Sequence, residues 1–155
     1  MKYFIDTEFN GWGGELLSIA LVSEDKREFY AELEFDGVYD PWVQQHVVPH
    51  FNGCKLPRAE VSQLMRQFFG PDKDITIVAD WPDDLKFFFD LMLIGGGKQI
   101  NVSCVKAVMD RVLSSSNSKV PHHALHDARA IKDCYDKLVI RDHFTNKVVD
   151  KGSNF

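Results

Sequence analysis

Phe4-Ile-Asp-Thr-Glu-Phe9 sets Asp6 and Glu8 two residues apart inside an apolar segment that begins at Lys2. Side chains two apart on a strand share one face. Bare carboxylates among apolar neighbours are costly to desolvate. Two of them a few ångströms apart repel unless they are protonated or bridged by cations. Hard oxygen ligands suit Mg²⁺ or Mn²⁺, so a metal site is the economical reading. The plain alternative is a solvated acidic pair where a strand runs out into a loop.

The segments around this pair predict an α/β chain. Lys2 to Ile5, Leu16 to Val22 and Glu28 to Leu33 read as three strands in an antiparallel meander. They are joined by the glycine-rich loop Asn10-Gly-Trp-Gly-Gly14 and the polar turn Glu24-Asp-Lys-Arg27. Pro41 opens a short helix that Pro49 stops. Val61, Leu64, Met65, Phe68 and Phe69 mark an amphipathic helix that ends at Gly70-Pro71. Ile75 to Ala79 is a buried strand, and a helix follows from Pro82 to about Leu93. The pattern then predicts a strand at 100–102, a helix over 105–113 and a final helix over 124–138. A weakly structured tail is expected from about residue 142. Three strands followed by strand and helix units imply one domain with a mixed five-stranded sheet between helices.

A second concentration of chemistry lies in Pro121-His-His-Ala-Leu-His-Asp-Ala128, which gathers three histidines around Asp127. A neutral imidazole beside a metal-liganding aspartate suits a general base near neutral pH. Helical spacing pairs His123 with Asp127; His122 competes for the role if it lies in the loop before the helix. Asp80-Trp-Pro-Asp-Asp84 supplies further acids between a strand and a helix, where they also stabilise the positive helix end. Asp84, one turn before Phe88, is the acid best placed to face inward. His46 and His50 have no carboxylate motif beside them and read as packing or surface residues.

Composition narrows the partners. A net charge of −5 argues against a broad basic face that coats long nucleic acid, yet leaves room for an enzyme acting at strand ends. Bound divalent cations would offset the acidity of such a site. No apolar run approaches a membrane span, the N-terminal residues lack a signal-peptide pattern, and three cysteines form no CxxC. The expectation is a cytoplasmic protein without a membrane partner.

Taken together, Asp6-x-Glu8, then Asp84 followed by Phe87-Phe88, then His122-x-x-x-x-Asp127-Ala128 resemble the three motifs of the DEDDh 3′-to-5′ exonucleases, which include RNase T-like enzymes. The resemblance spans residues 4 to about 138. Trp42-Val-Gln-Gln-His-Val-Val-Pro49 looks closest to the mycobacterial RNase AS branch. One departure concerns the second motif, where many relatives carry His-Asn before Phe-Asp and this chain reads Ala79-Asp80 and Asp83-Asp84. Asp84 is the best match there, with Asp80 or Asp83 as substitutes.

The resemblance implies a ribonuclease H-like fold and hydrolysis of single-stranded 3′ ends to nucleoside 5′-monophosphates, with RNA favoured over DNA. Two divalent cations, Mg²⁺ or Mn²⁺, would be held by Asp6, Glu8, Asp84 and Asp127, with His122 as general base. A homodimer is also implied. Trp12 is placed to stack on a terminal base or to anchor its loop, and Phe9 to contact substrate or pack in the core. The rival readings are a silent nucleic-acid-binding module and a metal-dependent hydrolase of small phosphate esters.

Overall fold

Strand β1 (Lys2–Phe9) sorts its side chains by parity, and the whole fold follows from that sorting. Tyr3 and Ile5 point into one apolar layer, whereas Phe4 belongs to a second layer on the opposite face. The computed structural model describes the backbone of residues 1–149 and the side chains of residues 1–140. Asp6 and Glu8 therefore share the Phe4 face, the side that carries the C-terminal helix.

β2 (Leu16–Ser23) and β3 (Glu28–Leu33) complete the antiparallel meander. Every residue of β2 is buried, as a strand covered on both faces requires. Gly14 is needed in the β1–β2 loop, because a Cβ there would lie 1.9 Å from the Asn10 carbonyl oxygen. The pairing of β1 with β2 slips between Glu8 and Phe9, a bulge at the end of the acidic stretch.

Helix α1 (Pro41–His46) is capped by Asp40, whose carboxylate accepts from the Trp42 and Val43 amides. A 3₁₀ turn over Val48–His50 follows. Val43 and Val47 pack on Leu17. β4 (Lys55–Leu56) then pairs parallel with β3. Helix α2 (Arg58–Phe69) buries Val61, Met65 and Phe69 at fourfold spacing against the sheet. β5 (Asp74–Ala79) lies parallel to β1, and helix α3 (Pro82–Met92) follows it. α3 buries Phe87, Phe88 and Leu91 in the layer it shares with α2. Complete burial of one such phenylalanine contributes about 2–3 kcal/mol.

A hairpin of β6 (Leu93–Gly95) and β7 (Lys98–Gln99) leads to β8 (Cys104–Met109), which pairs parallel with β5. Helix α4 (Ala124–Val149) covers the other face of the sheet through Ala124, Ala128 and Ile131. The order β4-β3-β2-β1-β5-β8 makes a mixed six-stranded sheet with helices on both faces.

Four sequence expectations change here. The sheet has six strands, not five, and the helix expected over 105–113 is strand β8 with its following turn. Val105 and Met109 fit both a four-residue helical step and a two-residue strand alternation, so periodicity does not separate them. β4 is too short to carry a period. The strand expected at 100–102 does not form; Ile100 and Val102 instead plug the α2–α3 layer from a loop. α4 continues beyond 138 to Val149, and of the expected tail residues 150–155 lie outside the described residues. Among the described residues no helix is long and apolar enough to cross a membrane.

Candidate active site

The strand register brings the acids together. β1 and β5 run parallel with Phe4 beside Val78, and two residues further along are Asp6 on β1 and Asp80 just past the end of β5. This is the carboxyl end of two neighbouring parallel strands, with β2 antiparallel on the other side, the position where open α/β sheets place ligand sites. Asp84, in the first turn of α3, and Asp127, in the first turn of α4, approach from opposite faces of the sheet.

Two overlapping groups result. Carboxylate oxygens of Asp6, Glu8 and Asp127 lie within 4.8 Å of one another, and so do those of Asp6, Asp80 and Asp84. Asp6 belongs to both. Asp83 does not join; its carboxylate accepts from the Trp81 indole N–H at 2.9 Å. Asp80, weighed in the sequence chiefly as a helix-end acid, stands in the second group beside Asp84.

This crowding shifts every acid in one direction. Burial pushes Asp6 well above the usual carboxylate range, and the charges of Asp84, Glu8, Asp127 and Asp80 add to it. Burial also raises Glu8 to about 8, helped by Asp127 and Asp84. Asp84 is pushed up to about 7 by burial, against the lowering effect of the Thr7 hydroxyl, which donates to its Oδ1 at 2.6 Å. Asp127 and Asp80 rise for the same first reason. Asp84 Oδ2 and Asp127 Oδ1 are buried and have no hydrogen-bond partner among the described residues. Buried oxygens without partners, on carboxylates that resist ionising together, form a donor set that fits hard divalent cations.

His122 lies in the loop before α4, with a left-handed backbone (φ 65°). Its amide donates to Asp127 Oδ2 at 3.1 Å. Its exposed ring stands edge-on to Trp42, with centroids 4.8 Å apart. His46, read in the sequence as packing or surface, covers the same indole at 4.7 Å and lies 6.5 Å from the His122 ring. His123 is turned away from this group; its ring stacks on Tyr30 at 4.7 Å and its Nδ1 accepts from the Leu125 amide. His50 closes the 3₁₀ turn through its amide.

Beside Glu8 lies a cleft of about 420 Å³ lined by Phe9, Trp12, Trp42 and Val43 among others. Trp12 is 83% exposed, while Phe9 is half-buried and packs on Phe87 at 5.4 Å. Asn10 braces this cleft: its side chain accepts from the Asp40 amide and donates to the Val38 carbonyl. Sequence reasoning did not single out Thr7, whose hydroxyl orients Asp84, or Trp81, whose indole holds Asp83.

No family model matches the chain. Over 70 residues it is 49% identical to two curated proteins named 3′-5′ exoribonuclease, from Mycobacterium tuberculosis strains CDC 1551 / Oshkosh and ATCC 25618 / H37Rv. The matched stretch covers 43% of this chain and 38% of each relative. The chain is thus similar over part of its length to proteins bearing an exoribonuclease name.

Proposed function

We propose that this protein is a metal-dependent 3′-to-5′ exoribonuclease that releases nucleoside 5′-monophosphates from single-stranded RNA. The observation that carries this reading is the pair of carboxylate groups sharing Asp6, with the His122 amide bonded to Asp127 and the His122 ring exposed. The partial similarity to proteins named exoribonuclease supports RNA as the polymer. The β1–β3 meander with parallel β5 against β1 supports a ribonuclease H-like reading of the fold.

In this reading Asp6, Glu8 and Asp127 would hold one cation, and Asp6 and Asp84, joined by Asp80, would hold the other. Bound there, divalent cations supply charge neutralisation at the scissile phosphate and an activated water. The His122 ring, packed edge-on against Trp42, would take up a proton from the attacking water, and Asp127 holds the His122 backbone amide. Thr7 fixes the Asp84 carboxylate so that Oδ2 stays free for ligation. Trp12 offers an exposed aromatic face to a terminal base, and Phe9 forms the cleft floor between core and substrate.

The deciding experiment incubates the full chain with 5′-labelled single-stranded RNA and its DNA counterpart, with Mg²⁺, with Mn²⁺ and with EDTA. A metal-dependent ladder that shortens from the 3′ end, faster on RNA, is expected. A ladder on DNA alone would correct the polymer. No cleavage by folded protein with either metal would sink the proposal.

A further inference from the structure

Parallel pairing of β5 with β8 sets Ala79 beside Met109, and the Asp110 amide continues the ladder by donating to the Ala79 carbonyl at 2.9 Å. Two residues beyond that pair are Trp81 and Arg111, and the Arg111 guanidinium lies 4.7 Å from the centre of the Trp81 ring. The indole is itself pinned by its N–H bond to Asp83. Arg111 is thus held on a fixed shelf directly after Asp80, whose carboxyl it influences.

Its donors are unspent. Arg27 and Arg129 form ion pairs and Arg58 and Arg66 donate to backbone carbonyls, whereas among the described residues Arg111 makes neither an ion pair nor a hydrogen bond. A guanidinium with a planar donor fork and a stacked face suits a phosphate group. The charge balance creates a need for one. Two divalent cations leave the carboxylates of Asp6, Glu8, Asp80, Asp84 and Asp127 one negative charge in excess, and a polyanionic strand must still settle there.

Resting on the exonuclease reading above, we propose that Arg111, stacked on Trp81, binds a non-scissile phosphate of the single-stranded substrate next to the reacting one. Arg111 is then a substrate-binding residue and Trp81 its positioning residue. The site distinguishes a polynucleotide from a short phosphodiester, which does not reach it.

The test compares wild type, Arg111→Gln, Arg111→Lys and Trp81→Leu on a single-stranded RNA 12-mer and on bis(p-nitrophenyl) phosphate, both with Mn²⁺. Arg111→Gln is expected to lower the ratio of RNA to small-diester kcat/KM about tenfold, through KM, consistent with one charged hydrogen-bonded contact. It should also reduce the salt slope of log KM by roughly 0.7, the value for one phosphate contact on a single strand. Trp81→Leu should reproduce part of the KM effect, and Arg111→Lys should restore the salt slope but not the full affinity. Equal losses on both substrates, or no change in the ratio, would overturn the assignment. A wild type inactive on both substrates would instead remove the exonuclease reading and this one with it.

Discussion

The Thr7 hydroxyl and the Asp84 carboxylate meet at 2.6 Å, seventy-seven residues apart in the chain, and join the first strand to the helix behind it. Both residues are buried. The hydroxyl occupies one carboxylate oxygen, and the other has no partner among the described residues. Thr7→Val keeps the shape and removes the donor. Leaving a buried acceptor unpaired costs about 1–3 kcal/mol, so the melting temperature without metal should fall accordingly. Activity should fall more than stability predicts, because Asp84 loses its fixed orientation; thermal melting and kcat measured on one preparation check both.

Metal-free protein should lose stability as pH rises. Unfolded carboxylates titrate near 4, whereas folded Asp84 and Glu8 titrate near 7 and 8. Between these values the folded state holds more protons than the unfolded state, so the stabilising contribution is complete below about pH 4 and is lost as pH climbs through the folded values. Saturating Mg²⁺ or Mn²⁺ should abolish that decline by replacing the protons. Urea midpoints from pH 5 to 8.5 in EDTA and in metal decide it, and a flat EDTA profile would contradict the crowded cluster.

Asp6 stands in both carboxylate groups, so its removal strikes both at once. Asp6→Asn should cost at least the roughly 100-fold that loss of a mere outer-shell partner of a metal can bring. The same variant should raise metal-free melting near neutral pH, since folding no longer requires that buried carboxyl to take up a proton. Wild-type turnover in Asp6→Asn would reject the assignment.

The two adjacent histidines should separate cleanly. His122→Ala removes an exposed ring and should depress kcat about 100-fold or more, the lower range for a general base, with stability changed by less than about 0.5 kcal/mol. His123→Ala removes the Tyr30 stack and the acceptor for the Leu125 amide. It should cost about 1 kcal/mol of stability and leave kcat within a fewfold. The opposite pattern would move the base to His123.

The meander, α2 and β5 with α3 were legible because long apolar patterns and Gly or Pro punctuation agree there, as at Gly70 and Pro82. The acids of β1 were legible from strand parity alone. What one sequence could not display is register. Nothing local to Asp80 says that it ends level with Asp6; the β1–β5 pairing does. Likewise, Arg111 reaches Trp81 only because 104–109 forms a strand beside β5. His46, read as a packing or surface residue, does pack on Trp42, and only its nearness to the His122 ring, distant in the chain, was hidden from the sequence.

The brace made by Asn10 makes one mechanical body of what look like separate jaws. Trp12 stands on the loop behind Asn10, and Trp42 stands on the helix whose cap, Asp40, Asn10 grips. Any outward swing of one wall must either drag the other along or break that grip. Trp42 is also the surface against which the His122 ring rests, so the Asn10 bond ties the glycine-rich loop to the helix that carries the histidine's neighbour.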